Sequence, residues 1–267
     1  MKSEVVLEGV GLHSGKRGRV CLRRHPGAVS IQAAGKVLPL MEARVVGTTR
    51  ATTLRVGRSV VSTVEHLLAA CGGLGIHEGL LLSIEGPEIP VVDGGAAVFC
   101  EAVRSLGLFA TQPRLAVRRD GELRVGHSVY AFSAERRSFA ARVRIDFDDD
   151  RVTKEASWDG QASTFEAEIA PARTFAFATD LLTLAAAGLA SHVTPESAVV
   201  LTPTAIHAAG RPFDAREPAR HKLLDLVGDL FLYGGPPHGA VDAFRPGHTA
   251  THEAVRVAMA QGILVPG

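Results

Sequence analysis

The first part of the chain alternates short apolar segments with turns that contain Gly and Pro, a pattern typical of short strands. The predicted elements are strands over 5–9, 17–23, 28–32 and 79–86 and helices over about 63–71 and 97–106. The first of these helices has clear end signals. Ser62 and Glu65 have the spacing of a capping box, and Gly72 and Gly73 follow the last turn.

The second part repeats this alternation after a segment without clear periodicity. That segment, 108–114, contains Pro113 and is interpreted as an interdomain linker, which divides the chain into domains 1–109 and 110–267. Strands are predicted over 115–119, 129–132, 139–147, 197–201 and the start of 239–247, a polar loop over 148–161, and helices over about 177–187, 218–232 and 252–260.

Two of the predicted helices carry the same pattern of Leu and Gly. Leu67, Leu68, Gly72 and Leu74 match Leu223, Leu224, Gly228 and Leu230. These residue types are common, so the match by itself is also compatible with chance. Each helix is, however, followed by a strand, a Gly-containing turn and a closing helix. The pattern therefore predicts an α+β fold of two similar domains, each a sheet packed on two helices, rather than a doubly wound parallel sheet.

Composition narrows the class of protein. The chain has 267 residues, 46% hydrophobic and 21% charged, which is typical of one or two globular domains. Twenty-nine basic and 28 acidic residues leave a net charge of +1, which argues against bulk nucleic-acid binding. The most apolar stretch, around 175–190, contains Asp180 and is too short to span a bilayer. The first residues form no apolar signal core, so a cytoplasmic protein without a transmembrane segment is expected.

The predicted helix over 218–232 carries two stripes of side chains. Leu223, Leu226, Val227 and Leu230 form an apolar face, whereas His221, Asp225 and Asp229 recur every four residues on a second face. An imidazole and a carboxylate one turn apart can bind one metal ion. Taken alone, this short pattern favours an exposed His–Asp pair on a solvated face.

Other residues supply the parts that such a metal site lacks. The three cysteines lie far apart without CxxC spacing, so further ligands are sought among His, Asp and Glu. His66 can be a third ligand, and Glu65 can take a proton from a water in an open position. Taken separately, Glu65 could instead complete the capping box with Ser62, and His66 could be a core histidine.

A candidate acid lies near the end of the chain. His248, in RPGHT, follows a predicted strand and turn and can protonate a leaving group. Asp229 could orient and charge this ring, and Lys222 could meet an anionic oxygen or phosphate. The competing interpretations are a turn histidine in solvent and an ordinary surface lysine.

Seven sequence blocks occur in one order along nearly the whole chain. They are GVGLHSGK (9–16), STVEHLLAA (62–70), GLGI (73–76), PEIPVVDGGAAVF (87–99), ARTFAF (172–177), RHKLLDLVGDL (220–230) and GAVDAFRPGHT (239–249). Any one block is a weak signal, but their order is specific. Together they resemble the UDP-3-O-acyl-N-acetylglucosamine deacetylase family (LpxC), zinc amidohydrolases of lipid A synthesis.

The resemblance implies a role for each candidate residue. His66, His221 and Asp225 match the zinc ligands, Glu65 matches the general base, and His248, with Asp229 beside it, matches the general acid. Thr174 matches a threonine that helps to hold the oxyanion, Lys222 and Phe175 match substrate contacts, and His13 matches a residue near the mouth of the active site. The implied fold is two β-α-α-β domains with their helix layers face to face and the metal between them.

The sequence departs from the family pattern where the family forms a passage for the substrate's acyl chain. His192 and Val193 stand where the family usually has a glycine pair, and 148–160 replaces its His-Pro-x-Ile-Gly segment. The larger side chains are expected to narrow the passage, so a preference for short or medium acyl chains is predicted. The apolar residues of the matching segment are Phe175, Phe177, Leu181, Leu182, Leu184, Leu189 and Val193.

The favoured hypothesis is a monomeric, zinc-dependent hydrolase that removes the N-acetyl group of UDP-3-O-acyl-N-acetylglucosamine and releases acetate, in lipid A biosynthesis. Its partner would be this nucleotide-sugar lipid precursor, with no nucleic acid. One alternative is a related deacetylase for another N-acetylated sugar, which the altered loops favour modestly. A second is a non-catalytic binding or regulatory relative, which the presence of all the candidate chemical residues argues against.

Overall fold

Two five-stranded sheets and the helices packed on them form an α+β structure, as predicted. The computed structural model describes residues 2–135, 139–179 and 198–267. The strands are β1 Glu4–Val10, β2 Arg17–Ala28, β3 Ser30–Ala33, β4 Lys36–Pro39, β5 Arg44–Gly47, β6 Thr53–Val56, β7 Ser59–Val61, β8 Glu78–Glu85, β9 Leu115–Val117, β10 Gly121–Val125, β11 Ser128–Ser133, β12 Ala140–Arg144, β13 Glu155–Trp158, β14 Phe175–Phe177, β15 Val199–Leu201, β16 Ile206–His207, β17 Ala240–Phe244 and β18 Leu264–Pro266. The main helices are α1 Glu65–Gly73, α2 Ala97–Ser105, α3 Glu217–Phe231 and α4 His248–Ala260, with short helical stretches at Leu40–Glu42, Ala162–Thr164 and Phe165–Ile169.

The two large sheets have the same strand order. The first runs β1-β2-β8-β3-β4 and the second β10-β11-β17-β12-β13. In each, the central strand pairs in parallel with one neighbour, β8 with β3 and β17 with β12, and the other pairs are antiparallel. A parallel pair needs a long crossover, and α1 and α3 lie in these two connections. The same unit thus occurs twice along the chain, while the domain boundary at 109 stays a prediction.

Alternation along the strands directs one face of each sheet to the core. In β2, Val20 and Leu22 are buried between half-exposed residues, and in β11 Tyr130 and Phe132 are buried in the same way. Burying an apolar side chain of this size contributes about 1.5–3 kcal/mol. These contacts hold the sheets against the helix layer.

Helices α1 and α3 pack against each other at glycines. A Cβ atom at Gly228 would overlap the backbone carbonyl of Glu65. At Gly72 it would lie 3.0 Å from Pro236 and 3.1 Å from Val227. The lack of side chains at these two positions therefore permits the close approach of the helices, and every residue of α1 is buried. Polar side chains of both helices consequently share one space.

A small sheet precedes the first main helix of each unit. Strands β5-β6-β7 lie between β4 and α1, and β14-β15-β16 lie between β13 and α3. The segment between the two units forms β9, which pairs with β18 near the other end of the chain. Strands as short as β5, β6 and β7 were not predicted, because they carry too little periodicity.

Several local predictions are wrong. Among the described residues, no side-chain hydrogen bond caps α1, so Ser62 and Glu65 form no capping box. Helix α4 begins at His248 rather than at 252, and β13 occupies part of the predicted loop over 148–161. Phe177, which was predicted to open a helix, ends β14. Ala178 and Thr179 are helical, as predicted, and the rest of that helix prediction, 180–187, lies outside the described residues.

Candidate metal centre and catalytic cavity

Three side chains predicted as ligands come together between α1 and α3. His66 lies on α1, and His221 and Asp225 lie one turn apart on α3. One ligand atom from each lies within 4.8 Å of the other two, and all three residues are buried. The two imidazole rings meet edge to face with their centroids 5.0 Å apart. This group could hold one metal ion.

Backbone carbonyls determine which ring nitrogen of each histidine faces the site. Nδ1 of His66 lies 3.1 Å from the carbonyl oxygen of Gly95, and Nδ1 of His221 lies 2.9 Å from that of Ala172. A carbonyl oxygen only accepts hydrogen bonds, so each Nδ1 carries a proton and each Nε2 presents a lone pair. Burial lowers the pKa of His66 to about 3 and also lowers the pKa of His221. Both rings are therefore neutral and available to a metal.

Asp225 carries the clearest sign that a cation fits here. Its buried Oδ1 has no hydrogen-bond partner among the described residues and lies 3.5 Å from Nε2 of His221 and 4.0 Å from Nε2 of His66. Three lone-pair atoms thus converge with no proton between them, which is unfavourable unless a positive charge compensates. Two imidazoles and one carboxylate are a donor set that suits zinc with an open position.

The second oxygen of Asp225 is bound by a lysine. Nζ of Lys222 donates a hydrogen bond to Oδ2 at 2.7 Å. Burial by itself raises the pKa of Asp225, but the positive charge of Lys222 opposes it, and that pKa lies well below its ordinary value. Asp225 is therefore ionised, and the interpretation of Lys222 as an ordinary surface lysine is wrong.

Glu65 faces the same space instead of capping its helix. Its Oε2 accepts a hydrogen bond from the backbone N–H of Thr52 at 3.0 Å, and its Oε1 lies 3.7 Å from Nε2 of His248. Burial raises the pKa of Glu65 to about 7. A carboxylate with a pKa close to neutrality can accept a proton and release it again.

His248 and Asp229 form a buried ion pair opposite Glu65. Nδ1 of His248 donates to Oδ2 of Asp229 at 2.9 Å, which leaves Nε2 on the side of Glu65. Burial opposes a charged imidazole, but Asp229 and then Glu65 outweigh it and raise the pKa of His248 to about 10. The ring is therefore protonated at neutral pH, as a general acid must be. It is a buried residue that opens α4, not a turn histidine in solvent.

A cavity of about 390 Å³ opens over these groups. Every predicted site residue lines it except Asp229, which lies behind His248: the wall contains Glu65, His66, His221, Lys222, Asp225, His248, Thr174, Phe175 and His13. The ring of Phe175 lies 5.9 Å from Nζ of Lys222 and 6.1 Å from the ring of His221. The cavity therefore combines a candidate metal centre, two groups that could act as base and acid, and an apolar wall.

A buried carboxylate holds the loop that carries His13. Glu88 accepts hydrogen bonds from the backbone N–H groups of His13 at 3.0 Å and Ser14 at 2.7 Å, and from the hydroxyl of Thr63 at 2.9 Å. A Cβ atom at Gly11 would overlap this carboxylate, so a side chain there would displace Glu88 from its present position. Burial lowers the pKa of His13, which keeps it neutral at the cavity wall.

Three polar residues around the cavity were not predicted: Thr52, Glu88 and His252. Thr52 and Glu88 lie outside any helical pattern, and their partners are distant in sequence. His252 lies one turn after His248 on α4. That spacing would have indicated a shared helix face if the helix had been predicted to begin at His248.

Relatives match almost the whole chain. A family model described as LpxC, UDP-3-O-acyl N-acetylglycosamine deacetylase, matches residues 1–260. A protein of Myxococcus xanthus (strain DK1622) named UDP-3-O-acyl-N-acetylglucosamine deacetylase is 36% identical over 265 residues, which cover 95% of this chain and 83% of the relative. A protein of the same name from Anaeromyxobacter sp. (strain Fw109-5) is 36% identical, and the match covers 96% of this chain and 86% of the relative. A third, from Syntrophus aciditrophicus (strain SB), is 32% identical, and the match covers 98% of this chain and 85% of the relative.

Proposed function

We propose a function for this chain from its family, since it belongs to the UDP-3-O-acyl N-acetylglycosamine deacetylase family (LpxC). In the proposed reaction the chain removes the N-acetyl group of UDP-3-O-acyl-N-acetylglucosamine in lipid A biosynthesis. Its class, a deacetylase-type hydrolase, follows from the family and the named relatives. The proposed reaction adds water across the amide bond and yields acetate and a free amine.

The observation that carries the proposal is the convergence of Nε2 of His66, Nε2 of His221 and Oδ1 of Asp225 in a cavity that also contains an acid and a base. These atoms would hold zinc, since their donor types match its preference. When bound, zinc supplies a Lewis acid that polarises an amide carbonyl and lowers the pKa of a water.

Glu65 and His248 are assigned the two proton transfers. Glu65 takes a proton from the attacking water while the water oxygen bonds to the acetamide carbon. His248 donates its Nε2 proton to the nitrogen of the amine as the carbon–nitrogen bond breaks, and the charge of Asp229 holds that ring protonated until then. The 3.7 Å between Oε1 of Glu65 and Nε2 of His248 supports this assignment, because both transfers must occur around one carbon atom.

The remaining wall residues are assigned to the substrate. Thr174 and Lys222 are proposed to stabilise the carbonyl oxygen as it gains negative charge. Phe175 and His13 are proposed as substrate contacts, which their positions in the cavity wall support.

Acyl-chain selectivity stays a separate prediction. Of the apolar residues expected to line the acyl passage, Phe175 and Phe177 are described, and both rings pack against Phe147. The other residues of this prediction lie outside the described residues: Leu181, Leu182, Leu184, Leu189, His192 and Val193. A monomer in the cytoplasm also stays an expectation; among the helices that the structure describes, none is long and apolar enough to cross a membrane.

The test is acetate release from a panel of N-acetylated sugar nucleotides with and without 3-O-acyl chains, measured together with zinc content. We expect acetate from the acylated UDP sugar only and one zinc ion per chain. Glu65→Gln is the matched control: it keeps the side-chain volume and should keep zinc but lose turnover, because Glu65 is not a ligand. Acetate from an unacylated sugar instead would replace the proposed substrate, and zinc-loaded protein that releases none would contradict the proposal.

A further inference from the structure

A chain of hydrogen bonds extends behind the proposed acid, away from the cavity. Oδ1 of Asp229 accepts a hydrogen bond from the hydroxyl of Thr52 at 2.6 Å. Nε2 of His252 lies 3.0 Å from that hydroxyl oxygen and 3.3 Å from Oδ1 of Asp229. Nδ1 of His252 lies 2.9 Å from the hydroxyl of Tyr233. The proposed reaction uses none of Thr52, His252 and Tyr233 directly.

The hydrogen bonds in this chain run toward Asp229. A carboxylate only accepts, so the hydroxyl proton of Thr52 is committed to Asp229. The hydroxyl oxygen of Thr52 then accepts from His252, which requires a proton on Nε2 of that ring. Tyr233 pairs with the remaining nitrogen, Nδ1. Both nitrogens of His252 are therefore satisfied, and its donor end is directed at the Thr52–Asp229 pair.

The chain joins separate elements at a fully buried point. Thr52 immediately precedes β6, Asp229 lies on α3, and His252 lies on α4 one turn after His248. Thr52 is 0% and Asp229 1% exposed, so water does not compete for these hydrogen bonds. Thr52 also donates its backbone N–H to Glu65. One residue thus contacts both the proposed base and the carboxylate behind the proposed acid.

We propose that His252, acting through Thr52, is a positioning residue for the deacetylation: it fixes the carboxylate plane of Asp229 and thereby the ring orientation of His248. The inference rests on the proposed function, since it needs His248 as the acid. Without His252, the Thr52 hydroxyl oxygen and Oδ1 of Asp229 lose the N–H group directed at them from α4. The cost falls on proton transfer rather than on substrate binding, because Thr52 and His252 lie behind the cavity wall.

The test is a double-mutant cycle on kcat and KM of the zinc-loaded protein. Thr52→Val removes the hydroxyl and keeps the backbone N–H bonded to Glu65; kcat is expected to fall by about 10- to 100-fold, the effect of losing a hydrogen bond to a charged group. His252→Phe should lower kcat by about 3- to 10-fold, as for a neutral hydrogen bond. KM should change little in either variant. Because His252 and the Thr52 hydroxyl act on the same carboxylate oxygen, the loss of kcat in the double variant should be smaller than the product of the two single losses.

Three further variants complete the design. His252→Gln can donate to Thr52 and accept from Tyr233, so it should restore most of kcat. Thr251→Val is the matched control. Thr251 is a buried threonine in the same turn of α4, and its hydroxyl bonds to that of Tyr130 at 2.9 Å. Removal of the Thr251 hydroxyl should leave kcat unchanged. Should His252→Phe fail to fold, Tyr233→Phe tests the same chain by removing only its outer hydroxyl, with a smaller loss of kcat expected.

Melting temperature and zinc content, measured for every variant, separate loss of fold from loss of positioning. A wild-type kcat in His252→Phe, or in Tyr233→Phe where that variant replaces it, overturns the inference. The inference is also overturned if the losses of kcat multiply in the double variant, or if His252→Gln does not restore kcat. Wild-type protein that releases no acetate contradicts the proposed function instead, so the two failures are distinguishable.

Discussion

The two five-stranded units share a scaffold but carry different side chains. Their strand order and the place of the parallel pair are the same. When Leu67 is aligned with Leu223 and Gly72 with Gly228, Glu65 corresponds to His221 and His66 to Lys222. The equivalents of Asp225 and Asp229 are Ala69 and Gly73. Helix α1 therefore begins with its polar pair, whereas in α3 the corresponding pair lies one turn after Glu217 and further carboxylates follow in the next two turns.

This asymmetry follows from how tightly the helices pack. Gly73 contacts the ring of Phe165, where a Cβ atom would overlap it, so α1 has no room for a carboxylate at the position equivalent to Asp229. Helix α1 accordingly supplies one candidate ligand and the proposed base, and α3 supplies two candidate ligands and the partner of the proposed acid. The two units thus have corresponding positions on α1 and α3, and these positions carry different side chains whose chemistry is complementary.

The largest effect is expected from removing one ligand of each unit. His66→Ala and His221→Ala should each lose bound zinc and lower kcat/KM on the order of 1000-fold or more, because the metal supplies several kcal/mol of charge stabilisation. Metal analysis of the purified variants gives the zinc content. Lys222→Ala, at the position equivalent to His66, is the matched control and should keep zinc. A full zinc content in both histidine variants would remove these residues from the ligand set.

A smaller effect is expected from Asp229, which has no counterpart in the first unit. The pKa of His248 is raised to about 10, so the acid is present below that pH and is lost as pH rises through it. Asp229→Asn removes the main cause of the raised pKa of His248. The pH at which kcat/KM declines on the basic side (the basic limb) should therefore shift downward by about 1–3 units. Asp242→Asn, on β17 at the ion pair with Arg142 and Arg144, should leave that limb in place. An unmoved limb in Asp229→Asn would exclude His248 as the group that titrates.

The smallest effect concerns the paired glycines. In Gly228→Ala the new Cβ would meet the backbone of Glu65, which cannot rotate away, so the free energy of unfolding should fall by about 1–3 kcal/mol. Gly72→Ala meets side-chain atoms at 3.0 and 3.1 Å and gains about 1 kcal/mol of helix propensity, so its net change should be smaller. Urea denaturation measures both. Equal losses would show that the two glycines are packed alike.

Helix α3 shows what periodicity can reveal. The spacing of His221, Asp225 and Asp229 predicts a shared face, and the structure places all three there. The sequence also allowed an exposed face, and that alternative is wrong because α1 covers it. Which helix covers a face depends on contacts between distant segments, and a single helical pattern carries no information about them.

For Glu65, local spacing by itself left two interpretations open for a similar reason. Its spacing from Ser62 suits a capping box as well as a catalytic base, and the decision depends on the N–H of Thr52, which lies outside both patterns. For His248, proposed as the acid, the sequence left a turn histidine in solvent as the competing interpretation, since a predicted turn precedes it. Gly247, however, has the extended backbone of an N-cap, and the helix begins directly after it. Thr52 and His252 lie 200 positions apart, so no local pattern relates them.

Because its ligands come from α1 and α3, the candidate metal centre is also a joint between the two units. An ion bound there stabilises the folded chain and not the unfolded one, so folding and metal binding are thermodynamically linked. Each tenfold rise in free metal above its dissociation constant then adds about 1.4 kcal/mol to the free energy of unfolding. With zinc bound there as proposed, the concentration of free metal would contribute to how stably the two units are held together.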